Sequence, residues 1–225
     1  MTLEKDKGML VSFTETSEAN DTELREWFVR EHIDERALDT PGFYRARLYE
    51  SIGSGPKYFA TYETETFDVL CSEEYFTRVG NQTPWSKEII SHLTILDRMT
   101  ARLTLNYMHG FGSLVATIRF FPGKEEETQS TARKMLREKT FPSLLASPSI
   151  LGVCLAENMP EISNATGNQA RSFGGSPLLA ENVEWLVVLE GYIEDDIIKL
   201  SKETFGDHSL NQLSIKEAAT INYYK

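Results

Sequence analysis

At 225 residues, with 40% hydrophobic and 25% charged side chains, the chain can bury a globular core, and no apolar run approaches the roughly 20 residues of a membrane helix. Its net charge of −11 repels a phosphate backbone, so neither nucleic acid nor a membrane is an expected partner. The N-terminal MTLEKDKGMLVSF lacks a secretory apolar stretch with a cleavage site, and Cys71 and Cys154 have no CxxC or Cys/His spacing, which predicts free thiols in a cytoplasmic protein.

In chain order, residues 8–14 (GMLVSFT) read as a strand. Asp21 or Thr22 is placed to cap the next helix, in which Leu24, Trp27, Phe28, Glu31, Glu35 and Leu38 recur at three- and four-residue steps. Pro41 ends that helix and Gly42 frees the turn. From Phe43 to Ser51, Tyr44, Ala46 and Leu48 alternate with Arg45, Arg47 and Tyr49, a strand with one buried face. SIGSGP turns the chain into a second strand over 57–64, making a hairpin. A helix over 67–79, a shorter one from Trp85 and a strand over 100–107 follow. The order β-α-β-β-α-β is that of a ferredoxin-like unit.

The pattern then starts again. An offset of 107 sets Arg30-Glu31 on Arg137-Glu138, Pro41 on Pro148 and Glu50 on Glu157 without a gap. Residues 113–121 repeat the first strand, 125–145 the helix and 150–157 the second strand. Trp185–Glu190 then resembles Tyr58–Glu63 at an offset of 127, which places an insertion at about 158–181, a Gly/Ser/Asn/Pro-rich stretch read as a long, mobile hairpin loop. Thr220 to Tyr223 repeats Thr104 to Tyr107. The expected fold class is α+β, two tandem ferredoxin-like repeats over 1–109 and 110–225, the second divergent.

The set Trp27, His32, Pro41-Gly42-Phe43, Arg45 and Tyr58/Tyr62 resembles the EthD-like branch of the dimeric α/β-barrel superfamily. The resemblance implies that the two units, each with a four-stranded sheet, face one another as an intrachain barrel. It also implies a range of roles: cofactor-free cyclases, isomerases, decarboxylases and monooxygenases, haem-using enzymes and members of unknown role. Fold does not choose among these.

Chemistry is best placed at Glu31-His32, one turn beyond Trp27 and Phe28 at the border of the buried helix face. A partly desolvated imidazole exchanges protons near neutrality. In the second repeat the aligned residues are Glu138 and Lys139, which suggests a structural role for the glutamate, through an ion pair with Arg45, Arg47 or another nearby base, and a site confined to the first repeat. Tyr58 or Tyr62 supplies a hydrogen bond from the sheet. The aromatic inventory of the first repeat, including Trp27, Phe43, Tyr44 and Trp85, fills a core or lines a substrate pocket. His92, His109 and His208 lack metal-ligand spacing, SIGSGP and SFGGSP lack the context of a nucleotide loop, and no G-x-S-x-G elbow occurs, so no metal or cofactor is expected.

Two classes of function follow. One is a small cofactor-independent enzyme of lyase, isomerase or cyclase type, acting by acid–base chemistry through His32 on an apolar or aromatic small molecule, with a monooxygenase as a further form. The other is a noncatalytic small-molecule-binding or accessory protein with the same barrel. Homo-oligomerisation is open in both.

Overall fold

The computed structural model describes residues 7–37, 39–163, 184–206, 215 and 218–225. Among them, β1 (Gly8–Thr16), β2 (Phe43–Glu50), β3 (Tyr58–Thr64), β4 (Leu93–Met108), β5 (Leu114–Phe120), β6 (Ile150–Asn158), β7 (Trp185–Gly191) and β8 (Thr220–Tyr224) form one antiparallel sheet. Its order is β2-β3-β1-β4-β6-β7-β5-β8, so the last four strands follow the same relative order as the first four.

The two expected four-stranded units are joined in one continuous sheet. The 16-residue β4 pairs with β1 along Leu93–Arg102 and with β6 along Ala101–Met108, sewing the two quartets together. The strand expected over 100–107 thus starts earlier, at Leu93, and runs through Asp97 and Arg98. In the fold Asp97 pairs with Arg119 at 2.8 Å and Arg98 donates to the Tyr75 hydroxyl at 3.0 Å, so both charges are accommodated. The outer strands also meet. Glu50 N–H donates to Lys225 O at 2.8 Å and Lys225 N–H to Glu50 O at 2.9 Å, curling the sheet back on itself as a barrel.

Strand alternation sorts side chains to two faces. Met9, Val11 and Phe13 point inward with Tyr49, Phe59, Met99, Val115, Cys154, Leu186 and Tyr224, a core drawn from both halves of the chain. Leu10, Tyr58, Ala60 and Tyr62 point outward beneath α1 (Asp21–Trp27), α2 (Ile33–Ala37), α3 (Glu73–Gly80) and α4 (Pro84–Ser91). A second outer layer packs α5 (Glu126–Met135), α6 (Phe141–Leu145) and α7 (Glu194–Phe205) on the later strands.

The arginine-bearing face of β2 is an inward one. Arg45 Nε donates to Glu63 Oε1 at 2.6 Å, and Arg47 Nη1 donates to Glu190 Oε2 at 3.0 Å across the two halves. Both carboxylates are buried, a placement that costs several kcal/mol per ion without such partners.

Pro41-Gly42 turns the chain as expected, with Gly42 at φ 86° and its Cα packed on Val69, where a side chain would collide. Cys71 and Cys154 are free. Leu38 and most of the expected inserted loop, residues 164–183, lie outside the described residues. No helix among the described residues is long and apolar enough to cross a membrane.

Candidate functional site: a cavity between helix and sheet

The site begins with a helix that changes pitch. Leu24, Trp27 and Phe28 bury the inner face of α1, and at Phe28–His32 the helix widens into a π turn closed by Ile33 N–H on Phe28 O. The extra residue in that turn displaces the positions after Phe28 from 3.6-residue spacing, and such turns are frequent at functional sites. The expected cap is corrected. Asn20 is the cap residue, and Asp21 instead accepts from the Tyr58 hydroxyl at 2.6 Å and pairs with Lys57 at 2.8 Å.

Between this turn and the outer faces of β1 and β4 lies a cavity of about 50 Å³. Leu10, Leu24, Phe28, Val79, Ile90 and Leu93 make its apolar wall, and Trp27, His32 and Tyr62 its aromatic one. Ser12, Thr14, Gln82 and Arg98 bring polar atoms to it. Thr14 Oγ1 is buried and has no hydrogen-bond partner among the described residues. A few convergent polar groups in an apolar hollow are the lining chemistry of a small-molecule site, and at about 50 Å³ the hollow must widen to admit an aromatic ring.

His32 is held on three sides by rings. Its imidazole stacks on Trp27 with centroids 4.1 Å apart, meets the edge of Phe28 at 5.5 Å and that of Tyr62 at 5.6 Å. Its side chain is 15% exposed, and Nδ1 lies 3.9 Å from Glu35 Oε2.

Of the residues singled out from sequence, the fold brings His32, Tyr62 and Trp27 together at the cavity. The others sit elsewhere. Glu31 turns to α4, where its Oε1 accepts from Thr83 Oγ1 at 2.6 Å, Ser86 Oγ at 3.0 Å and Trp27 Nε1 at 3.2 Å. The ion pair expected with Arg45 or Arg47 is therefore corrected, since those arginines hold Glu63 and Glu190. Tyr58 belongs to a cluster with Asp21 and Arg25, where burial and the bond to Asp21 push its phenol above the ordinary value. Tyr44 is 41% exposed and donates to Glu63. Phe43 packs on Tyr75 at 5.6 Å, and Trp85 is half-buried against the outer layer; neither lines the cavity.

The alignment of the helices also needs correction. The second π turn spans Leu136–Thr140, which is 108 residues after Phe28–His32 rather than 107. By that register Glu31 corresponds to Lys139 and His32 to Thr140, so the argument that the glutamate recurs at the same place falls. Sequence reasoning missed Ser12, Thr14, Gln82 and Arg98. Period-two alternation in GMLVSFT already sets Ser12 and Thr14 on the face opposite Met9, Val11 and Phe13, and polar residues beneath a covering helix are a sign of a cavity.

No protein-family profile and no curated protein matches the chain in sequence. Solved structures do match in shape. A candidate monooxygenase from Fusobacterium nucleatum aligns over 98% of this chain and 92% of its own, with TM-score 0.62 and 9% identity. One from Lactobacillus acidophilus aligns over 98% and 94%, with TM-score 0.60 and 8% identity. An anthrone oxidase-like protein aligns over 99% and 92%, with TM-score 0.61 and 12% identity. At these identities the likeness establishes the fold and nothing about the reaction.

Proposed function

We propose that the protein is an enzyme that binds a small apolar or aromatic molecule in the cavity between β1, β4 and the π turn, and moves a proton to or from it through His32. The observation that carries this reading is the position of the imidazole, largely withdrawn from water and fixed between Trp27 and Tyr62 at the cavity wall. A neutral imidazole there can accept a proton from an acidic C–H of the ligand. Arg98 offers positive charge to the anion left behind, and Ser12, Thr14 and Gln82 offer hydrogen bonds that orient it.

Lyase, isomerase and cyclase chemistry would use that proton transfer alone. The names of the similar structures favour an oxygenation instead, in which the deprotonated carbon reacts with dioxygen: RCH₂R′ + O₂ → RC(=O)R′ + H₂O. The test is oxygen uptake with anthrone as the probe, which supplies such a carbon acid. Uptake of one O₂ per anthrone, faster with protein than without, is the expected result. No acceleration, with anthrone bound in the cavity, would favour the noncatalytic binder.

The tandem reading supports placing the site in one half only. We regard residues 1–109 and 110–225 as two ferredoxin-like units, and the chain as a member of the EthD-like branch on the strength of Trp27, His32 and Pro41-Gly42-Phe43. Arg25 lies over Tyr58 and pairs with Glu50, while Arg133 lies over Trp185 and pairs with Glu157, a shared arrangement consistent with duplication.

A further inference from the structure

We infer that Glu31 is a positioning residue for His32, acting through the Trp27 indole; this rests on the reading of His32 as proton carrier. The Glu31 carboxylate does not line the cavity. It is held at the N-terminus of α4, with one oxygen accepting from Thr83, Ser86 and Trp27. Thr83 is the cap of that helix and accepts Ser86 N–H at 2.9 Å. A carboxylate oxygen with three donors is a firm anchor.

What it anchors is the indole. Trp27 Nε1 donates to Glu31 Oε1 at 3.2 Å and to Ser86 Oγ at 3.1 Å, which fixes the edge of the ring, and the face of the same ring stacks on His32 with planes 24° apart. Trp27 and Glu31 are one helical turn apart, and His32 is the next residue, so the π turn presents carboxylate, indole and imidazole as one stack. A carboxylate accepting the indole N–H raises the electron density of the π face. A protonated imidazole gains more from that face than a neutral one, as in other cation–π contacts. Glu31 thus sets both the tilt of His32 and its preference for the charged form.

Other charged groups act on His32 by separate routes. Glu35 on its own helix lies 3.9 Å from Nδ1, and Arg78 of α3 lies 3.9 Å from Glu35. Arg98 of β4 and the uncharged Gln82 line the same cavity, and Tyr62 meets the ring edge-on at 5.6 Å. A change in total charge would reach His32 with or without Trp27, whereas the proposed route requires the indole N–H.

The test is an NMR titration of the His32 ring in the full chain without ligand, in wild type, Glu31→Gln, Trp27→Phe and the double variant. Glu31→Gln is expected to lower the titration midpoint and to move the Trp27 indole proton upfield. In the Trp27→Phe background the same substitution is expected to produce no further shift. Equal shifts in both backgrounds, or none in either, would overturn the inference. Ser86→Ala serves as a second variant should Glu31→Gln fold poorly. It leaves the indole N–H to Glu31 alone and withdraws one competing donor, so the midpoint should rise; an unmoved midpoint would overturn the inference as well. Because no substrate enters the titration, its outcome is separate from that of the oxygen-uptake assay.

Discussion

The imidazole of His32 and the indole of Trp27 are stacked, 4.1 Å between centroids, at the wall of the cavity. If His32 carries the proton, His32→Ala lowers kcat/KM by about 10²-fold or more, the lower bound for general acid–base assistance. Trp27, Phe28 and Tyr62 keep their own burial in that variant, so circular dichroism and the urea midpoint should show a folded protein.

The barrel interior makes a second prediction. Glu63 takes both Nε and Nη2 of Arg45 and the hydroxyl of Tyr44, all beside the core shared by the two halves. Glu63→Gln leaves the Arg45 charge without its counter-ion, and urea unfolding should show a loss of about 3–5 kcal/mol. Glu50→Gln provides the contrast. Its partner Arg25 is 48% exposed, and an exposed pair of this kind contributes under about 1 kcal/mol.

Asp21 gives the fold an acid sensitivity with a defined sign. Burial opposes its ionisation, but hydrogen bonds from Lys57 and Tyr58 outweigh it and hold the carboxyl below its usual value of 3.8. The stabilisation is therefore complete above the unfolded-state value and is lost as the pH falls through the lower folded-state one. Urea unfolding of wild type and Asp21→Asn should converge below pH 3.8, with wild type the more stable above it.

The two thiols should react unequally. Cys154 is fully buried in the barrel, and burial pushes its thiol far up; Cys71 is half-buried, and burial followed by Asp68 raises it less. Titration of the native protein with a thiol-specific chromogenic disulfide should modify Cys71 slowly, and Cys154 only after denaturant is added.

The strands and the Pro41-Gly42 turn were legible in sequence because alternation and the backbone limits of proline and glycine act locally. The π turn was not. Helical periodicity assumes 3.6 residues per turn, and one extra residue at Phe28–His32 turns Glu31 toward α4. His32, Trp27 and Tyr62 were found because an amphipathic helix followed by a strand places them near one another. Thr14 and Arg98 were missed because β1 and β4 meet the helix only through the long-range pairing of the sheet. The true start of β4 was hidden by Asp97 and Arg98, whose partners Arg119 and Tyr75 are distant in sequence.

The central claim, that a small apolar molecule meets His32 in this cavity, is tested most directly by NMR of ring-labelled histidine during titration with phenol, 2-naphthol and anthrone in turn. Of the four histidines, the account predicts that His32 alone shows a saturable shift, together with a change in the Trp27 indole signal, for at least one of these probes. A His32 signal unmoved by all three, or shifts confined to His92, His109 or His208, would contradict it.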